Sequence, residues 1–288
     1  WHFDGWMVKV LGYHDAYASG VIHAVCGGFA LGVLVVLGPR IGKFVNGIPQ
    51  NIGPRNPWLV TLGLFLIYTG FWGFYAACNI PIFDAGADSG AGVTYFTATN
   101  IYAAPTTLSG VTMNFLMSLA GGLLAGYVVA KGDPFWTYSS GLAGIICASA
   151  GNDLYHPLQS MVIAMVGVVI MYKLHYWVER RFKIDDAVGA VAVHGYAGVV
   201  GLLICGFVLW GYPSSTYEGY AAITPWGMLA GAIIMFGVLG FLPGYVIALI
   251  LNSAGQLRIP REVEIAGQDY LAMEAAKKDE NTVASAEQ

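Results

Sequence analysis

A soluble domain carries about 25% charged residues. This 288-residue chain carries 10%, with 57% hydrophobic residues and a net charge of −4. With a mean hydropathy of +0.62 it does not present a mostly polar surface to water, and its negative balance offers nothing to a nucleic acid. The class that remains is an all-α integral membrane protein, because hydrocarbon admits only helices or closed barrels and the apolar runs here have helix length.

A span needs about 20 apolar residues to cross roughly 30 Å of hydrocarbon. Taken in chain order, about seven transmembrane helices are predicted, at 17–38, 57–78, 105–130, 136–152, 158–178, 187–211 and 227–251. The first opens at His14-Asp15, holds His23 and ends at Gly38-Pro39-Arg40. A cationic loop rich in Gly, Pro and Asn (39–56) leads to the second. Loop 79–104 carries Asp84 and Asp88 but no Lys or Arg, and its Tyr95, Phe96 and Tyr102 predict an ordered outer loop. The fourth span is short and rich in Gly, Ala and Ser, and the fifth ends with Lys173 and His175. Loop 179–186 closes on Asp185-Asp186, and Asp186 is expected to cap the sixth helix, which holds His194.

Residues 1–253 thus form the predicted transmembrane domain, and 254–288 a polar C-terminal tail whose end, Lys277 to Gln288, has a disordered composition. With seven spans, every Lys and Arg except Lys9 falls on the C-terminal side. The positive-inside bias then puts the C-terminus in the cytoplasm, or the matrix of an organelle. The plasma membrane is the first expectation and an organelle inner membrane the alternative. Cys26, Cys78, Cys147 and Cys205 are isolated in apolar runs, so neither a disulfide nor a zinc site is expected. The chain opens at Trp1 rather than Met and shows no signal peptide, so sequence ahead of it is expected to be removed or supplied elsewhere. It contains no nucleophile–base constellation, phosphate loop or cofactor motif, so an enzyme is not expected.

An ionisable residue inside a membrane helix is a functional candidate by default. His23 lies eight residues after Asp15, and His194 eight residues after Asp186. The two helices begin on opposite faces, so at 1.5 Å per residue both imidazoles come near the midplane, which is the pattern of an inverted repeat. Such a pair can share one proton, because each neutral ring has one donor and one acceptor nitrogen. On spacing alone, two core histidines bonded to backbone are the plainer alternative.

The stretch Asp15-Ala-Tyr-Ala-Ser-Gly-Val-Ile-His23, followed by Gly27-Gly28, resembles the first twin-histidine signature of the ammonium transporter (Amt/Rh) family. Asp185-Asp186 through Val193-His194-Gly195 resembles the second. Gly70-Phe-Trp-Gly-Phe-Tyr75 is similar to the family's aromatic motif, and Leu257-Arg258-Ile259-Pro260 with Glu264, Gly267 and Asp269 to its cytoplasmic tail. The resemblance implies a homotrimer with one pore per subunit. It makes His23, His194 and Phe74 pore residues and Asp15, Trp1 and Cys78 the ammonium recruitment site, Trp1 acting by cation–π attraction. The implied tail docks on a neighbouring subunit.

Four departures from the pattern stand out: Cys78 for a Ser, Tyr75 for an Asn, Phe71-Trp72 for the reverse order, and Gly189 for an acid. By the resemblance the chain corresponds to spans five to eleven of eleven and lacks the first four. The expected function is therefore ammonium or ammonia transport through a twin-histidine apolar pore in the bilayer, needing a missing N-terminal part or a companion chain. The alternative is a non-conducting structural subunit of a larger membrane complex.

Overall fold

A computed structural model of the chain describes residues 1, 5–78, 108–214 and 219–267. Among the described residues, six helices are long and apolar enough to cross a membrane: α1 (Ser19–Leu37), α2 (Pro57–Cys78), α3 (Leu108–Val129), α5 (Pro157–Phe182), α6 (Val191–Val208) and α7 (Pro225–Ser253). Between α3 and α5 lies α4 (Pro134–Ala148), and a short α8 (Arg261–Ala266) follows in the tail. The expected fourth span is corrected in its bounds. Its helix starts two residues earlier, where Asp133 and Pro134 open it, and stops at Ala148, where a turn through Gly151 begins. At 15 residues α4 is shorter than a free-standing span, and every residue from Ser139 to Ala148 is buried among its neighbours. The outer loop 79–104 and the tail beyond Gly267 lie outside the described residues.

Four of these helices start by one device. Proline occupies the first helical position of α2, α4, α5 and α7, where its missing N–H costs nothing. The residue before it caps the free amides behind it. Asn56 Oδ1 accepts from Trp58 N and Leu59 N, Asp133 Oδ1 from Trp136 N, His156 Nδ1 from Leu158 N, and Thr224 Oγ1 from Gly227 N. The helices that bear His23 and His194, α1 and α6, lack this proline. Both begin with a π-helical stretch instead, Ser19–Ala24 and Val191–Tyr196.

Aromatic side chains mark the membrane edges. Trp58 at the start of α2 is 82% exposed and Trp226 at the start of α7 is 75% exposed. These two helices enter from opposite faces, so amphipathic rings stand at both interfaces, as in membrane aromatic belts.

The loop after α1 carries a two-stranded antiparallel hairpin, β1 (Phe44–Val45) and β2 (Ile48–Pro49), with Val45 opposite Ile48. Its Asn46-Gly47 turn has positive φ at both residues, the geometry that favours Asn-Gly in tight hairpins. Two ion pairs fasten this loop to the far end of α5. Arg40 grips Asp185 through Nε (2.7 Å) and Nη2 (2.9 Å), and Lys43 Nζ meets Glu179 at 2.6 Å. The tail adds a third tie: Arg258 donates to the carbonyls of Leu37 and Pro39, and Glu264 accepts from Ile41 N at 2.8 Å. These tail contacts are made on the same chain.

Candidate functional site: a buried histidine pair

His23 and His194 sit in the π-helical openings of α1 and α6, which run in opposite directions through the bundle. The wider π turn is held by an aspartate just upstream in each case. Asp15 Oδ2 accepts from Gly20 N, Val21 N and the Tyr13 hydroxyl, all at 2.9 Å. Asp186 Oδ2 accepts from Ala192 N at 2.9 Å. The carboxylates replace the missing proline caps, satisfying amides that would otherwise be orphaned in an apolar setting. Gly189, at the place of the expected acid, has φ +71°, a left-handed conformation that a side chain there would strain.

The two helices cross at glycine. A Cβ on Gly27 would lie 2.1 Å from Gly195 N, so the backbones are in direct contact four residues beyond His23 and one beyond His194. That contact brings the rings together. His23 Nδ1 and His194 Nδ1 are 3.0 Å apart, with ring planes 16° from parallel. Only one of two facing nitrogens can hold the shared hydrogen. The donor ring then leaves its Nε2 as an acceptor, and the acceptor ring carries its hydrogen on Nε2 as a donor. The pair therefore offers one acceptor and one donor at its outer nitrogens. These exchange when the acceptor Nε2 takes up a proton, the shared proton crosses to the other ring, and that ring's Nε2 gives up its own. His23 is 8% exposed, and its Nε2 is buried with no hydrogen-bond partner. A buried polar atom left open in this way costs about 1–3 kcal/mol, and open polar atoms collect at working sites.

Aromatic rings close one side of the pair. Phe71 of α2 meets His23 edge-on at 5.2 Å. Phe74, the expected gate residue, stacks on Phe71 at 5.6 Å and 17°. Phe71, marked in the sequence only as a departure from the aromatic motif, is thus the ring that faces His23. An apolar cavity of about 490 Å³ lies further along the bundle between α1, α5, α6 and α7, with Leu31, Val35, Leu174, Tyr196 and Phe236 in its walls and neither histidine among them.

The expected recruitment residues are placed apart from the pair. Asp15 is half-buried beneath the opening of α1, with its buried Oδ1 free of hydrogen bonds. Cys78 is half-buried at the end of α2 and Trp1 is 60% exposed. Sequence reasoning missed His14. Its Nε2 lies 3.1 Å from Asp153 Oδ1 in the turn after α4, and its Nδ1 lies 3.4 Å from the Ser214 carbonyl. Burial opposes a charge on His14, but Asp153 and that carbonyl outweigh it and raise its pKa. On the other face, burial opposes ionisation of Asp185, and the Arg40 guanidinium and amide overcome this and hold the carboxyl below its usual range.

This architecture defines a polytopic α-helical membrane protein with an imidazole pair, His23 buried and His194 half-buried, where two oppositely directed helices meet. The sequence model of the Ammonium Transporter Family matches residues 1–278, and the chain belongs to that family. It is 27% identical to the ammonium transporter Amt1 of Methanocaldococcus jannaschii over 272 residues, covering 94% of this chain and 63% of that one. It is 29% identical to Amt2 of the same organism, covering 96% and 60%. The chain thus spans about 60% of the length of these relatives, which are transporters and not enzymes. Among solved structures, the fold is similar to a sensor Amt protein (TM-score 0.72, 24% identity, 92% of this chain and 61% of that one). It is also similar to Mep2 of Candida albicans (TM-score 0.69, 18% identity, 90% and 55%).

Proposed function

We propose that this chain supplies the twin-histidine wall of a pathway that moves ammonium, as ammonia plus a relayed proton, across a membrane. The observation that carries the proposal is the 3.0 Å contact between His23 Nδ1 and His194 Nδ1 with His23 Nε2 buried and unpaired. A substrate nitrogen entering such a site meets a fixed acceptor at one ring and a fixed donor at the other. The proton it sheds has a carrier in the shared Nδ1 bond. In this reading Asp15, Trp1 and Cys78 form the recruiting mouth, Phe74 acts with Phe71 as the gate, and Asp186 fixes the helix that bears His194. Residues 1–253 form the membrane domain, and the tail from 254 onward lies on the cytoplasmic or matrix side. The rest of the pore wall comes from further sequence of the same polypeptide or from a companion chain, in a homotrimeric assembly.

The test is uptake of ammonium by proteoliposomes that hold the complete natural polypeptide with any companion chain that purifies with it. Saturable uptake is expected, falling about a hundredfold or more in His23→Ala and His194→Ala, the size of a lost proton-transfer group. The second reading, a non-conducting structural subunit, is favoured by the bulk of Tyr75 where the family pattern has Asn. Uptake equal to that of empty liposomes establishes that reading instead.

A further inference from the structure

Tyr75 is 1% exposed, and its polar end is fixed by a directed hydrogen-bond chain. Asn152 Nδ2 donates to the Tyr75 hydroxyl at 3.1 Å. Ser149 Oγ donates to the Ile145 carbonyl, so the 2.6 Å contact between the two hydroxyls is donated by Tyr75. Asn152 is held in turn by Ser118 of α3 (3.0 Å) and Ser160 of α5 (2.8 Å). The hydroxyl of Tyr75 is thereby tied to three other helices or their turns.

The ring end faces the opening of α1. Tyr75 stacks on Tyr17 at 4.0 Å and 11°, and Tyr17 N donates to the Ser149 carbonyl at 3.1 Å. Ser149 therefore holds Tyr17 by its backbone and Tyr75 by its hydroxyl. One turn back on α2, Phe71 sits edge-on to Tyr75 at 5.6 Å and 85°, and that same Phe71 ring faces His23. Phe115 of α3 closes the other edge of Tyr75 at 5.2 Å.

We infer that Tyr75 is a positioning residue that sets selectivity: its anchored ring holds Phe71 against His23 and fixes the width available to a substrate beside the histidine pair. The inference rests on the transport reading above. On this inference a bare ammonium nitrogen passes the held ring, whereas an added methyl group has to displace Phe71. An asparagine at this position carries no ring to brace Phe71, so the substitution narrows the site relative to the family pattern.

The test pairs two readouts on the complete natural polypeptide in lipid, for wild type, Tyr75→Phe and Ser149→Ala. Tyr75→Phe keeps the ring and removes the anchor, and Ser149→Ala removes the anchor from the other side. The first readout is the ratio of methylammonium to ammonium uptake, which rises about fivefold in both variants, the effect of one lost hydrogen bond. The second is the ¹⁵N spectrum of histidine-labelled protein. The His23 signal, assigned by its loss in His23→Ala, moves in both variants, while that of the exposed His156 does not. An unmoved His23 signal overturns the inference, whether or not the protein transports. A moved signal with an unchanged uptake ratio overturns the selectivity role. A moved signal in a protein that takes up no ammonium leaves the bracing of Phe71 in place and removes the transport reading together with the selectivity role that rests on it.

Discussion

His14 shows how much one unremarked side chain can carry. It precedes Asp15 directly and ties the entry to α1 to the turn after α4 through Asp153 and to the loop at Ser214. Both partners of the His14–Asp153 pair are mostly buried, so truncating one strands the other without its counter-charge. His14→Ala is expected to cost about 3 kcal/mol or more, read as a lower unfolding midpoint of the purified protein. The pH dependence has a definite sign. The folded-state pKa of His14 is raised by Asp153 and the Ser214 carbonyl, with Asp15 adding to them, so the folded protein binds its proton more tightly than the unfolded chain. The stabilisation is complete below the unfolded value of about 6.5 and is lost as pH rises through the folded pKa. A wild-type midpoint that falls across that window, and a flatter profile in His14→Ala, are expected; identical profiles would exclude the pair as the source. Nothing in the sequence marked His14 apart from its neighbour Asp15, because its partner lies 139 residues away.

At the scale of elements, the helix starts divide the chain into two kinds. Helices α2, α4, α5 and α7 start at a capped proline, α7 also holding a π-helical stretch at Ile233–Phe241, and the aspartate-capped π openings of α1 and α6 hold the candidate histidine pair. π-helical turns cost hydrogen-bond geometry and gather at functional sites. Here they turn both histidines toward the crossing at Gly27 and Gly195. Gly27→Ala is expected to push the two backbones apart, because its new methyl meets Gly195 N and not a flexible side-chain end. Overpacking of this sort costs about 1–3 kcal/mol. A lower unfolding midpoint together with a weakened His23–His194 contact should follow, whereas a change at Gly237, where a Cβ meets nothing within 4 Å, should leave that contact intact. The mirrored Asp-to-His spacing left this pairing open beside two unrelated core histidines, and the resemblance of both stretches to the twin-histidine signatures decided for it. The π turns were not legible, because no residue type encodes them; they follow from where the carboxylates find amides. Apolar periodicity also missed the early end of α4, whose Gly-, Ala- and Ser-rich residues are buried by neighbours on every side.

The whole molecule is organised around one meeting point. Three ties on one face, Arg40–Asp185, Lys43–Glu179 and Arg258–Glu264 with their loop contacts, fix the end of α1 beside the start of α6. On the other face His14–Asp153 and the Tyr17–Ser149 contact fix the start of α1 beside the end of α4. Charge fastens the ends, and glycine contact and aromatic packing set the middle. The hydropathy of the runs conveyed the membrane class and most of the helices, while the long-range ion pairs that lock their ends could be found only in the folded chain. The central claim is that the two imidazoles form one proton-sharing unit at the crossing. Solid-state NMR of the ¹⁵N-histidine-labelled natural polypeptide in lipid tests it directly. The account predicts one protonated and one unprotonated Nδ1, joined by a coupling between His23 and His194 across the hydrogen bond. Two independently protonated Nδ1 atoms with no coupling would contradict it.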